Sequence, residues 1–411
     1  MKFAAAWDKW VVIGWMVLVL ADDVRRAVPY VHWMATLLAG FLLLPLLVSS
    51  WRRPGFPARR PAWLLVIAVS VPALYGAQFG YSLAESAKLA IILILGTAAF
   101  AGGNRLAEYA FRGFIAAVIA NLILLLGGAV GLGTAAVMTG FTRWGTVLDY
   151  PGVLWRVGIT VGVYSAYCAI RMKSLKYAGL LAGSAALVYF DGARTGILLF
   201  LLVPVFTLIV IAWEAGRLRM AIAGSAAAVA LGFFVLHFGG ELLNSNAQSD
   251  TGAERVSQLA GSLQQAGIGG LGAADLIRFQ MLQDAQAAIR AHPWLGTGFE
   301  STKTDTIVGP MVIHMTYMQV WADLGLLGFI AFSWLMLDWL GWIRRVPQRI
   351  RRLAAPQERA IYYNAIFLLI VYAITALFHP LSTEWSQWVM FIVPYAMLWR
   401  LLSPRLTPEG E

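Results

Sequence analysis

Apolar residues in this chain come in long blocks separated by short polar links. A hydrocarbon core about 30 Å thick is crossed by about 20 residues of helix. Scanning on that criterion gives twelve candidate spans, at about 7–21, 28–49, 61–77, 83–101, 113–133, 152–170, 177–190, 195–213, 218–238, 324–343, 360–378 and 386–402. The blocks divide the chain into spans one to nine over 1–238, one large hydrophilic insertion over 239–323, and spans ten to twelve with a tail over 324–411. The expected class is all-α, a polytopic membrane protein with about twelve transmembrane helices. The first block does not read as a cleaved signal peptide, because it lacks a small-residue cleavage site and leads straight into a second span.

The insertion reads as two helices. Thr251 and Glu254 have capping-box spacing, and Val256, Leu259, Ala260 and Leu263 follow at helical period. A glycine-rich break at 267–272 precedes a second helix at about 273–291. Its buried stripe is expected to be Leu276, Ile277, Met281, Leu282, Ala285 and Ile289, and His292-Pro293 ends it. From Pro310 to Ile343 the pattern reads as one helix about 51 Å long, with Pro310 at the first helical position. If its membrane part begins near Leu324, its first turns project outward.

Composition agrees with the pattern. The 411 residues are 60% hydrophobic and 13% charged, far from the balance of a soluble domain. The net charge of +10 does not point to nucleic acid, because the positive residues follow a membrane rule. With the N-terminus placed inside, 21 of the 31 lysines and arginines fall in inner segments. Both termini are then cytoplasmic and the large insertion faces outward. The single cysteine, Cys168, excludes a disulfide framework.

All five histidines, His32, His237, His292, His314 and His379, fall on the outer side of this topology, as do Lys88 and Arg194. On the projecting helix His314 would stand about 15 Å above the hydrocarbon, sharing a face with Tyr317, Met318 and Trp321. Asp323, nine residues on, would lie on the opposite face. A helix start opposes a positive imidazole and keeps it able to accept a proton. His314 is therefore either a general base near the head groups or a hydrogen-bonded interfacial histidine. Arg194, in the short link 191–196, is either paired with Asp191 or a fork-shaped phosphate donor. Lys88 carries the same two readings, with Glu85 one turn away. Arg278 alone reads as a solvated charge. Asp22 and Asp23 read as a helix-end turn partnered by Arg25 and Arg26, with a metal or base carboxylate as the other reading.

HExxH, CxxC, P-loop, GxSxG and DxD motifs are all missing from the sequence. No cofactor is expected, and no tightly held divalent metal without a carboxylate cluster. No internal repeat of the transporter kind is visible.

The run from Arg278 through Ile289, His292, Pro293, Trp294, Leu295, Gly296 and Gly298, followed by His314, Tyr317, Asp323, Gly325 and Gly328, resembles the O-antigen ligase and polymerase superfamily. Arg194 before its span, and the twelve-span layout with one large outer loop, are similar as well. The resemblance implies a GT-C-like fold in the bacterial inner membrane, with a periplasmic active site. It implies a glycosyltransferase that moves O-antigen from undecaprenyl pyrophosphate to the lipid A–core oligosaccharide, or a polymerase joining two lipid-linked glycans. The alternative of another class is a lipid or glycan transporter. By the same resemblance His314 matches the family's essential histidine, and Arg278 and Arg194 match arginines of the donor pyrophosphate; Lys88 joins them as a pyrophosphate candidate from its position alone, outside the resemblance. Three positions depart from the pattern: Met315 for a common asparagine, Asp323 for the usual glutamate, and Ala193 for serine.

Overall fold

The computed structural model describes residues 2–20, 59–74, 79–99, 106–128, 133–138, 141–146, 148–149, 152–217, 276–306, 309–342, 345–381 and 383–402. Candidate spans 28–49 and 218–238, the first insertion helix, the glycine-rich break and Asp22-Asp23 lie outside these residues. The described helices are α1 (Lys2–Leu20), α2 (Arg59–Ala73), α3 (Phe79–Ala99), α4 (Leu106–Gly128), α5 (Leu154–Ile159), α6 (Gly162–Met172), α7 (Leu175–Asp191) and α8 (Arg194–Glu214), then α9 (Leu276–Ala291), α10 (Thr316–Leu337), α11 (Arg345–Arg351), α12 (Pro356–Thr375) and α13 (Trp385–Leu402). Among the described residues, four stretches are long and apolar enough to cross a membrane: Leu106–Gly127, Thr195–Glu214, Thr316–Trp342 and Pro356–Thr375. The chain is a membrane protein.

The all-α expectation needs one amendment. Two antiparallel hairpins interrupt the helices, β1 (Gly133–Met138) with β2 (Phe141–Thr146), and β3 (Lys303–Thr306) with β4 (Gly309–Val312). The second hairpin also overturns the single helix expected from Pro310. Pro310 lies in β4 opposite Asp305, and helix begins only at Thr316. Proline is compatible with an edge strand as well as a first helical turn, so the residue alone did not decide.

Contacts divide the chain into two units. The first takes residues 1–31, 105–264 and 347–369; the second takes 32–104, 265–346 and 370–411. In the first unit, α4 packs on α1 with Gly113 against Met16, and α7 packs on α5, α6 and α8. The block expected as one span over 152–170 is broken here: α5 ends at Ile159 and α6 starts at Gly162. Asn364 fills the break. Its amide donates to the Thr160 carbonyl at 2.7 Å, and its oxygen accepts the Tyr164 N–H at 3.1 Å. Backbone groups without water must be satisfied from within, and one asparagine here serves both sides of the gap. Gly158 and Gly196 allow the close packing, since a Cβ would lie 2.8 Å from the Ser184 carbonyl and 2.6 Å from Trp155.

At the far end of α8, Glu214 knots the unit together. It accepts from the Tyr167 hydroxyl (2.9 and 2.8 Å), the Tyr363 hydroxyl (3.0 Å), Arg171 (2.5 Å) and Arg359 (3.2 Å), while its side chain is only 4% exposed. Arg351 lies over the neighbouring Trp213 ring at 3.7 Å. In the second unit, α2 packs on α3 and α10, α3 packs on α13, and α9 packs on β3 and α10.

Candidate functional site

In the second unit the site is built from a loop and a broken helix. Within α10, Gly325 has φ 68° and ψ −169°, which interrupts the helix. A regular helix would send the N–H of Leu326 back to Ala322. Instead Leu326 N–H donates to the Pro293 carbonyl (2.9 Å), while the carbonyls of Ala322 and Asp323 accept from Thr297 N–H and Gly298 N–H (both 3.0 Å). Segment 293–298 therefore supplies the hydrogen bonds that the break removes. Gly296 and Gly325 are both in the left-handed region, φ 71° and 68°, and each lies against the other segment's backbone. The two halves of the sequence motif thus interlock.

Asp323 completes the joint. Its carboxylate is fully buried and accepts N–H bonds from Glu300 and Thr302, each at 3.0 Å. Glu300 is held with φ 53°, a conformation that a non-glycine residue adopts at a cost. The sequence reading found Asp323 to be a poor partner for His314, and the structure gives the carboxylate this other task. Its signal in the sequence was an acid amid Ala322, Leu324 and Gly325, at a position where nothing polar is needed for helix formation.

His314 is not on the helix, so the face it was expected to share with Tyr317, Met318 and Trp321 does not exist. It stands in a bend between β4 and α10, next to Met315, the residue that precedes the first turn. Ile313 before it is buried with Met281, Ala285 and Ala322, and Met315 packs against this cluster. Thr316 after it donates its N–H to Ala376 (2.8 Å) and its hydroxyl to the His379 carbonyl (2.6 Å). The bend is held on both sides. The ring is half-buried, and its Nδ1 lies 2.8 Å from the Val312 carbonyl. A carbonyl only accepts, so Nδ1 carries the proton, and in the neutral ring Nε2 holds the lone pair.

Arg278 is exposed on α9, one turn before the buried Met281 that seats Ile313. Of the stripe expected on that helix, Met281 and Ala285 are buried, and Leu282 and Ile289 are half-buried. Ile277 departs from it, at 41% exposed. Lys88 lies on α3 and is 4% exposed, in an ion pair with Glu85 at 2.6 Å; the Thr383 hydroxyl donates to the same carboxylate. That is the pairing the sequence offered as its simpler reading. Arg194, the first residue of α8, belongs to the other unit. Near it, Asp191 is fully buried and accepts N–H bonds from Gly152, Trp155 and Ala193 at 3.0, 3.0 and 3.1 Å. It thereby fixes the link 191–196 to the start of α5. Of the other histidines, His292 is exposed at the end of α9 and His379 is half-buried, while His32 and His237 lie outside the described residues.

Loop 292–302 thus interlocks with α10, and His314 stands in the bend that precedes that helix. Residues 179–333 match the family model described as O-antigen ligase. The resemblance read from the motifs holds over that stretch. It takes in Arg194, Arg278, the loop 292–302, His314 and the break at Gly325, and it leaves out Lys88. A search of curated proteins gives no match.

Proposed function

We propose that this O-antigen ligase family protein transfers O-antigen polysaccharide from undecaprenyl pyrophosphate to lipid A–core oligosaccharide, on the periplasmic side of the inner membrane. The observation that supports the reading is the Nδ1 contact to the Val312 carbonyl, which favours the tautomer with the ring's lone pair on Nε2. Nε2 takes the proton from an acceptor sugar hydroxyl. The oxygen forms its bond to the anomeric carbon of the donor from the face opposite the pyrophosphate. The bond from that carbon to the phosphate oxygen breaks with its electron pair, and undecaprenyl pyrophosphate leaves. The configuration inverts, and the imidazolium returns its proton to solvent. Arg278 and Arg194 are proposed to stabilise the departing diphosphate, because only charge that develops in the transition state rewards such placement. Pyrophosphate leaves readily, so the scheme needs no general acid and no metal. For Lys88, the Glu85 ion pair supports a structural role instead.

The same reading takes in a GT-C-like arrangement of about twelve spans with both termini cytoplasmic. Against the transporter stand the missing repeat and the folded joint between loop and helix.

The test is transfer by purified protein in proteoliposomes, with defined donor and acceptor and no ion gradient. His314→Ala is expected to lower the rate by about 10²–10⁴-fold, the usual loss on removing a general base. Transfer at the unmodified rate would overturn the assignment. Faster transfer onto a second lipid-linked glycan than onto lipid A–core would make the protein a polymerase.

A further inference from the structure

Beside the joint, α9 and the loop line an open groove of about 390 Å³ whose lining includes no residue of the His314 bend. That is within the range of small-ligand sites, about 300–1,000 Å³. Its polar lining is Asp284 from α9 with Thr297, Ser301, Thr302 and Lys303 from the loop and the start of β3.

The hydroxyls form one hydrogen-bonded group. Ser301 Oγ is 2.5 Å from the Gly298 carbonyl and 2.7 Å from Thr297 Oγ1, Thr297 Oγ1 is 3.3 Å from the Ala322 carbonyl, and Thr302 Oγ1 is 3.0 Å from Thr297 Oγ1. Each hydroxyl has one proton and two lone pairs. The protons are absorbed by the Gly298 and Ala322 carbonyls and within the group, so what remains for a ligand is lone pairs. Asp284 adds a carboxylate. Its two oxygens take the Thr304 hydroxyl (2.5 Å) and the Gln280 amide (3.0 Å), which fixes its orientation and leaves further acceptor capacity. Lys303 contributes the one cation.

A wall rich in acceptors with a single ammonium complements a ligand rich in hydroxyl donors. It does not complement a diphosphate, which would meet the Asp284 carboxylate. The wall is also rigid before any ligand arrives: Asp323 fixes the N–H groups of Glu300 and Thr302, and the glycine pair fixes segment 293–298. Such preorganisation lowers the ordering cost of binding.

We infer that this groove is a carbohydrate subsite that holds one glycan chain of the transfer reaction, apart from the reacting centre. It shares α9 with the cluster that seats the His314 bend, so a sugar held here is tethered within the same unit as the base. The assignment rests on the transferase reading only for which glycan is bound. Two sources offer the same chemistry, the donor polysaccharide and the acceptor core.

Two measurements separate the outcomes. Binding is followed by saturation-transfer NMR on the full-length His314→Ala protein in nanodiscs. The probes are core oligosaccharide and O-polysaccharide, each released from the host strain's lipopolysaccharide by mild acid. One of the two is expected to bind, and Ser301→Ala and Lys303→Met are each expected to weaken it about tenfold, the order of one lost hydrogen bond to a charged or well-placed partner. In the transfer assay on protein with His314 intact, the same substitutions raise KM for the matching substrate by the same factor. The responding glycan identifies the source. If transfer proceeds and both variants keep the unmodified affinity and KM, the subsite is overturned while the transferase reading stands. If a glycan binds through Ser301 and Lys303 but the unmodified protein transfers nothing, the transferase reading fails and the subsite stands.

Discussion

Gly296 and Gly325 meet backbone to backbone, each in a left-handed conformation and each with no room for a Cβ. An added methyl at position 296 would run into the Asp323 carbonyl, and one at 325 into the Trp294 carbonyl. The left-handed penalty of about 1–2 kcal/mol and an overpacking cost of about 1–3 kcal/mol act together. Gly325→Ala is therefore expected to cost about 2–5 kcal/mol, read as earlier heat aggregation in detergent. Because both methyls open the same joint, the double variant with Gly296→Ala should cost less than the two single losses combined. Additive losses would show that the joint is not one unit.

Asp323 should respond to both charge and length. Asp323→Ala strands two N–H groups in a fully buried place, at about 1–3 kcal/mol each. Asp323→Asn keeps the shape but offers one acceptor oxygen instead of two, and should lie between. Asp323→Glu restores the residue usual in the resembling family, yet adds a methylene where the loop already fits, and should cost about 1–3 kcal/mol. Amide hydrogen exchange across 298–302 is the measurement. Unchanged protection in the alanine variant would refute the role assigned to the carboxylate.

Lys88 can be sorted by a double substitution. Breaking a buried pair from one side leaves an uncompensated charge, at about 3–5 kcal/mol. Lys88→Met is expected to destabilise, and Glu85→Gln with Lys88→Met to recover most of the loss. Donor KM in the double variant should match that of the unmodified protein. A raised donor KM at recovered stability would return Lys88 to the pyrophosphate.

Glu214 supplies the contrast. Glu214→Gln removes the charge that gathers Arg171, Arg359, Tyr167 and Tyr363. The expected cost is about 1–3 kcal/mol, discounted because Arg171 is 35% exposed. Thermal inactivation should be faster at unchanged KM for both substrates. A KM effect without loss of stability would contradict a purely structural knot.

Much of this was readable from periodicity. Met281 and Ala285 are buried as their spacing requires, and His292-Pro293 ends α9 because proline disfavours helix in the residue before it. What periodicity could not show is backbone that leaves the pattern. The region from Pro310 to Ile343 is apolar enough to read as continuous helix, yet hydropathy carries no sign of the strand β4 or of the Gly325 break. A glycine in an apolar run is equally a close-packing device, and only its partner at 296 reveals the difference. The same holds for Thr160 and Val161, where the break depends on Asn364 far away in sequence. The histidine was found by its motif, whereas its tautomer depends on a carbonyl two residues earlier that belongs to a strand nobody would infer from Met311 and Val312.

The Asn364 plug has a consequence for how the chain is made. Thr160 precedes it by 204 residues and Tyr164 by 200, so the gap between α5 and α6 is synthesised long before the amide that closes it. Throughout that interval the Thr160 carbonyl and the Tyr164 N–H have no Asn364 amide to pair with. A chain that stops ahead of residue 364 lacks the amide that pairs these two groups, so closure of the break between α5 and α6 waits on a late helix.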